Sequence, residues 1–515
     1  MNRDRTTLIG DARVLPVRTT TVGWGLLGSL VLLALMVTTL VAQDAPLRLS
    51  LEEAIELARR NNPAYLSTEN DRPAADWGVR EAYSAFLPTA SASSSVSWVE
   101  GGAQRFGTVD LGTAGTDWYQ SFYNLSATWR LDGNTIFGLP AARANRKAVE
   151  ARITAAEFNL ESQVALLYMA VLRAQDGVDV AERQLDRARQ NLRIVGSRVE
   201  SGAAAGTDGR QAEVDQGRAE VGLIQAERLF RESLALLAEG LGVALVEDVE
   251  LSSAFTVFEP TWSRDELMTE ALGSHPSLRA FEAQKRAASA SAKQAASSYF
   301  PSLSVTSRLQ GVTQEATNEA FVVGQAQDYW ASQQSNCEFN NALIQGVPTI
   351  NGQLKDCSAL AFNDERRASA LASNRVFPFS FDKLPLSVSF QVSIPVFTGF
   401  SRQRQVAEAN NLAEDARHSL RAEELRIRTA VTQAFDNLTA AYQVVQLEGR
   451  NRSLAEEQLQ LQQRRYALGA AALLELLDAQ TSLTTADQAY LNAVYDFHWN
   501  LIRLEAAVGQ SLRPR

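Results

Sequence analysis

The sequence predicts an α+β chain in which one strand–long-helix unit is written twice, with four strands per chain that belong to a membrane β-barrel. Three observations predict it. The segment LSVSFQVSIPVF (386–397) sets Leu386, Val388, Phe390, Val392, Ile394 and Val396 on one side of an extended chain and Ser387, Ser389, Gln391 and Ser393 on the other. This is a period of two whose wet face is small and polar, without the Lys, Glu and Arg of a sheet that faces bulk solvent. The stretch 402–468 contains no Pro and a single Gly, and at about 1.5 Å per residue it would form a rod of roughly 100 Å, longer than any one globular core needs. Finally, motifs of the first half return in the second.

Residues 1–43 read as a signal peptide. Arg3, Arg5, Arg13 and Arg18 precede an apolar run from Val22 to Val41, and the polar QDAP follows at Gln43–Pro46. An uncleaved inner-membrane anchor is the alternative. Removal of this segment, with its four Arg and two Asp, takes the formal charge from −10 to about −12, which argues against nucleic acid as a partner. An apolar content of 45% with 21% charged residues excludes wholesale disorder, and no second long apolar run exists to make a helical membrane protein. Cys337 and Cys357 share one loop-like stretch; in an oxidising compartment they suit a disulfide worth roughly 3 kcal/mol, with two free thiols as the alternative.

The repeat sets the domain order. LEEAIELARRNNP (51–63) matches RDELMTEALGSHP (264–276), and SAFLPTASASSSVS (84–97) matches SSYFPSLSVTSRL (297–309), so that Pro63 pairs with Pro276 and Pro88 with Pro301 at one offset. LSATW (125–129) matches LSVSF (386–390), and SRVESGAAAG (197–206) matches RRYALGAAAL (464–473). Two units follow, 44–246 and 247–515, the second enlarged by an extended loop at 311–384. Each reads as a short helix, a helix entered at a proline, a strand, a loop, a strand, a very long helix, a turn and another long helix. In the last helix, positions 476, 480, 483, 487, 490, 494, 497, 501, 504 and 508 alternate spacings of four and three and are apolar except for Gln480 and Asp487. That is a heptad seam in need of a partner helix.

The remaining strands repeat the opening pattern: Leu303, Val305 and Leu309 against Ser304, Thr306, Arg308 and Gln310, and Leu125, Ala127, Trp129 and Leu131 against Ser126, Thr128, Arg130 and Asp132. TASASSSVSW (89–98) is the weakest. Trp98, Phe122, Tyr123 and Trp129 lie near strand ends, as in a barrel's aromatic girdles. In hydrocarbon each unpaired backbone group at a sheet edge costs several kcal/mol, so a membrane sheet must close on itself. Four strands are too few, and several copies must share one barrel. A small soluble sheet with one buried face is the competing explanation.

With these features in place, residues 47–512 resemble the TolC family of outer-membrane channel proteins, used in drug efflux and type I protein secretion. The most specific stretch is RRYALGAAALLELLDAQTSL (464–483), similar to the family's second helix turn at the periplasmic end, with a weaker copy in ESGAAAGTDGRQAE (200–213). The resemblance implies a homotrimer whose twelve-stranded barrel in outer-membrane lipid continues into a coiled-coil α-helical periplasmic tunnel. It further implies a periplasmic adaptor (membrane fusion) protein and an inner-membrane pump as partners. Carried over by position, Asp208, Glu475 and Asp478 would form acidic rings at the narrow entrance, which attract cations. Tyr466 would help hold that entrance shut, and its replacement by Phe is expected to raise conductance. Gly202, Ala203, Gly469 and Ala470 would dock the adaptor, although the two glycines also have a plain role where the chain leaves a helix. Ala471 stands where some members carry a basic residue that takes part in closing.

Nothing reads as an enzyme or calls for a cofactor. His275, His418 and His498 show no metal-ligand spacing, and GAAAGTDG (202–209) lacks the GK[ST] of a phosphate loop. His275, aligned with Asn62 before a proline, suits a turn or cap. The rival to an export conduit is a periplasmic coiled-coil scaffold held by an uncleaved inner-membrane anchor.

Overall fold

In a computed structural model the described residues are 47–102, 105–106, 109–110, 116–244, 249–253, 255–347 and 352–513. The proposed signal peptide lies outside them. The first unit runs β1 (Leu47–Leu49), α1 (Leu51–Asn61), α2 (Pro63–Glu69), α3 (Asp71–Ser84), β2 (Thr89–Val99), a small hairpin of β3 (Arg105–Phe106) and β4 (Val109–Asp110), β5 (Trp118–Leu131), α4 (Gly133–Glu200) and α5 (Gly206–Leu241). The second runs β6 (Val249–Leu251), α6 (Arg264–Ser274), α7 (Pro276–Ala296), β7 (Ser302–Ala316), α8 (Glu319–Gly346), α9 (Asp364–Asn374), β8 (Asp382–Lys383), β9 (Ser387–Ser393), α10 (Ser401–Ala467) and α11 (Leu473–Val508).

The duplication is repeated in the local chemistry. Ser50 and Ser263 each close a capping box with the glutamate three residues on, which satisfies the free N–H groups that open α1 and α6. Asn62 and His275 are the N-caps of α2 and α7, each ahead of a proline whose missing N–H costs nothing at that position. Gly242 and Gly509 end α5 and α11 at positive φ, where a Cβ would strike the backbone of Asn61 at 2.4 Å and of His275 at 2.9 Å. Each unit's last helix is therefore seated on its own first corner, and the parallel pairing of β1 with β6 ties the two units together.

The main sheet is antiparallel, in the order β2-β5-β7-β9, with β8 extending the last strand along β7. Its register sorts side chains by chemistry. Ala90, Ala92, Val96 and Trp98 align on one face with Leu125, Ala127, Trp129 and Leu131, then Leu303, Val305 and Leu309, then Val388, Phe390 and Val392. The other face carries Ser91, Ser93, Ser95, Ser126, Thr128, Ser304, Thr306, Ser387 and Ser389, joined across strands by Ser91 Oγ to Ser126 Oγ at 2.8 Å and Thr128 Oγ1 to Thr306 Oγ1 at 3.4 Å. Phe122 falls on this polar face, opposite the expected girdle, because it alternates with Ser121 and Tyr123. β2 and β9 are the two open edges.

The stretch 311–384 departs from the expected loop. β7 continues to Ala316, and 319–346 is helix: Asn318 caps its start by accepting from the N–H groups of Ala320 and Phe321. A Gln/Asn-rich helix packed on little but α9 and a short turn shows no apolar stripe, so its period was hidden. Cys337 and Cys357 are bridged, with Cα atoms 5.7 Å apart.

At the other end of the sheet, α4 and α10, of 68 and 67 residues, lead away as rods. Six of the ten seam positions of α11 are buried apolar side chains: Leu476, Leu483, Phe497, Leu501, Leu504 and Val508. Among the described residues no helix is long and apolar enough to cross a membrane, a test that does not apply to a β-barrel.

Candidate functional site

The far tip of the helices is built from two turns, 201–205 between α4 and α5 and 468–472 between α10 and α11. Their backbones are copies. Gly202 and Gly469 have φ of 73° and 75°, values that cost a side chain but not glycine. Ala203 N donates to Arg198 O at 2.7 Å and Ala470 N to Arg465 O at 2.8 Å, the bond that closes a left-handed helix end. Asp208 and Glu475 then occupy the same place in the first turns of α5 and α11, where a carboxylate offsets the free N–H groups.

The side chains break the copy. Arg198 lays its guanidinium 4.5 Å over the ring of Tyr466, donates through Nη1 to the Tyr466 carbonyl and through Nη2 to Ala203 O at 3.2 Å. It therefore grips both turns at once. Tyr466 is 3% exposed, and among the described residues its hydroxyl has no hydrogen-bond partner. Burial pushes the phenol's pKa up; the charge of Arg198 opposes this and the carboxylate of Asp208 adds to it. Around the ring, Val195, Ala212, Leu459 and Leu476 close an apolar cluster.

The structure thus brings Tyr466, Ala203 and Gly469 against Arg198, with Asp208 near enough to Tyr466 for its charge to be felt and Gly202 and Ala470 next in the two turns. Glu475 turns instead to Arg465, 3.6 Å away and half exposed. Asp478 stands apart, lining a cavity of about 520 Å³ with Gln184 of α4 and Gln211, Asp215 and Arg218 of α5. Arg198 was missed in the sequence, although its alignment with Arg465 in the repeated turn was a signal. The tip contact uses the ring and carbonyl of Tyr466.

A second group lies higher on α11. Asp487, one of the two polar seam positions, accepts from Arg187 of α4 and from Arg452 of α10, each at 2.8 Å, while its own side chain is 4% exposed. Gln480, the other, accepts from Asn191 of α4. Further up, Arg173 donates to Asn492 and Tyr495 to Asp176, both at 2.6 Å. Both breaks in the heptad are thus polar ties to α4. Among the described residues no group of three or more His, Cys, Asp or Glu is placed to hold a metal ion.

Comparison with known proteins adds the following. The family model described as outer membrane efflux protein matches residues 54–243 and 365–510. The outer membrane protein TolC of Vibrio cholerae is 22% identical over 461 residues, 89% of this chain and 90% of that one. Among solved structures, the transmembrane channel CusC superposes with a TM-score of 0.66 at 19% identity, covering 90% of this chain and 92% of its own. The outer membrane protein VceC of Vibrio cholerae gives 0.64 at 15% identity, covering 90% and 97%. At these identities the superpositions speak for the fold alone.

Proposed function

The chain belongs to the outer membrane efflux protein family, and from that premise we propose that three copies form the exit duct of a tripartite export system. The protein is a non-enzymatic channel of the outer membrane with helices that extend into the periplasm. The observation that carries the trimer is the sheet: four antiparallel strands, apolar on one face and serine-rich on the other, with β2 and β9 open. In lipid those edges must pair, and three copies give twelve strands around an aqueous lumen. The duct itself is passive, and the energy for transport comes from an inner-membrane pump coupled to it by a periplasmic adaptor that seats on the turns at Gly202, Ala203, Gly469 and Ala470.

The entrance opens where hairpins part. Asp208, Glu475 and Asp478, brought together in threes, would favour cations there, and the Arg198–Tyr466 contact holds the two hairpins of each protomer side by side. Purified protein run on SDS gels with and without boiling, after separation of inner and outer membranes, tests the reading. Trimers that resist SDS until boiled and sediment with the outer membrane are expected. A monomer that stays with the inner membrane and keeps its N-terminus would refute it and favour the anchored scaffold.

A further inference from the structure

The segment that leads from α9 into β8 does not hang free above the sheet; it is strapped down onto it. Asn374 exchanges two hydrogen bonds with the backbone of Ala316, at 3.0 and 2.8 Å. Phe377 N donates to Glu315 Oε2 at 2.9 Å, and Ser121 Oγ donates to Pro378 O at 2.5 Å. The rings of Phe377 and Phe381 rest on those of Tyr119 and Tyr123, with centroids 5.1 and 4.9 Å apart. Between them the backbone turns tightly, Ser380 N donating to Val376 O at 2.9 Å, and Phe379 at its crest is 79% exposed.

Alternation along β5 fixes which face this is. Tyr119, Ser121 and Tyr123 continue the line of Leu125, Ala127 and Trp129, the apolar face, whereas α8 begins on the opposite side, its Phe321 edge-on to Trp118. The level is fixed too. Ten residues separate Leu303 from Thr313 on β7, opposite Ser121; at about 3.3 Å each and a tilt of about 40° they rise about 25 Å, the height of a barrel's apolar band. Exposed Phe86, Tyr299, Phe300, Phe397 and Phe400 mark the band's other limit, beside the helices. A neighbouring copy cannot be the occupant, because copies join at β2 and β9 and the strap crosses the interior strands β5 and β7.

We propose that residues 376–381 are an outer lipid anchor, in which a turn clamped to the barrel wall holds Phe379 in the interfacial zone of the bilayer, at the level of the lipid headgroups and upper chains. The clamp removes the freedom that an exposed loop would lose on insertion, so the aromatic ring meets lipid already positioned. The proposal rests on the reading that the apolar face meets lipid.

The test uses full-length trimers carrying 4-trifluoromethylphenylalanine at position 379 or, separately, at position 390, in phosphatidylcholine bilayers. Fluorine relaxation is compared between lipids bearing a nitroxide on the headgroup or on the acyl chain and a water-soluble nickel chelate. At 379 the headgroup or upper-chain nitroxide is expected to enhance relaxation several-fold more than the chelate does. A label at 379 that responds chiefly to the chelate, while the label at 390 responds to acyl-chain nitroxide, overturns the anchor. If both positions respond only to the chelate, the membrane-barrel reading fails with it.

Discussion

Helix α11 meets its two long neighbours differently. Against α10, its own hairpin partner, it presents the apolar seam from Leu476 to Val508, whose lower end also meets Val195 of α4. Against α4, from the other unit, the buried Leu491, Tyr495 and Ile502 are accompanied by side-chain hydrogen bonds that recur along the rod: Asn191 to Gln480, Arg187 to Asp487, Arg173 to Asn492 and Tyr495 to Asp176; at the tip Arg198 of α4 reaches Tyr466 of α10 instead. Apolar side chains stay in contact out to about 4.5 Å between heavy atoms, while a hydrogen bond is lost once its partners separate by an ångström or so. If the proposed duct opens at this end, the difference predicts that it parts between hairpins, tie by tie, with each hairpin staying whole.

Asp487 sits on both interfaces, so its removal should have the largest effect. Asp487→Ala leaves Arg187 and Arg452 facing one another without the carboxylate that joins them, and breaking a buried pair from one side costs about 3 kcal/mol or more. Denaturant unfolding followed by helical circular dichroism should show that loss. A change well under about 1 kcal/mol would mean that the node is not shared as described.

The next largest effect is a pH dependence at the upper end of α11. Burial lowers the pKa of His498 from its usual 6.5 to about 4, and the charge of Arg513 adds to the shift. The folded state therefore disfavours the protonated ring. Its contribution is intact above pH 6.5 and is lost as pH falls from there toward about 4, up to about 3 kcal/mol in all. Burial lowers His275 in the same direction, but its ring is held by Ala506 O and Ser277 N. Replacement of His498 with Phe, among Phe497 and Phe255, should flatten the curve between pH 6.5 and 4. An unchanged acid slope would assign the dependence elsewhere.

Much of this was legible beforehand, and for physical reasons. The period of two in LSVSFQVSIPVF and the heptad of α11 are one-dimensional patterns, and the register and the buried seam reproduce both. His275 was readable as a cap because its repeat partner Asn62 is a standard one. The regular pairing of β9 stops at Ser393, two residues before Pro395, sooner than the alternation suggested. What could not be read were contacts between the units. Gln480 and Asp487 looked like flaws in a seam because their partners, Asn191 and Arg187, lie some 300 residues away. The partner of Arg198 was hidden for the same reason, although its place in the repeated turn was not, and α8 was hidden because a helix that packs on so little needs no stripe.

Two smaller effects sharpen the contrast between the turns, which share a backbone and differ in side chains. Arg198→Ala removes a cation–π contact and one charge-assisted hydrogen bond between hairpins, together with a second bond inside its own turn, worth about 2 kcal/mol in all in a half-buried site. Channels in planar bilayers should then conduct several-fold more. Tyr466→Phe, which keeps the ring and the carbonyl, should change conductance less than Tyr466→Ala, and a larger effect of Phe would return the closing contact to the hydroxyl.

Arg465→Ala should matter least. Arg465 occupies the same step of the second turn and reaches its own Ala470 O and Gln462 Oε1, each at 3.4 Å, and Glu475, at 3.6 Å with both groups half exposed. Such a pair contributes about 0–1 kcal/mol, less in salt, and lies wholly within one hairpin. Conductance and unfolding should therefore stay near wild type in 0.15 M salt, a concentration at which exposed charges are screened within about 8 Å. Equal gains in conductance from Arg465→Ala and Arg198→Ala would show that loss of positive charge at the tip opens the entrance. A gain from Arg198→Ala alone would instead tie opening to the bond that crosses from one hairpin to the next.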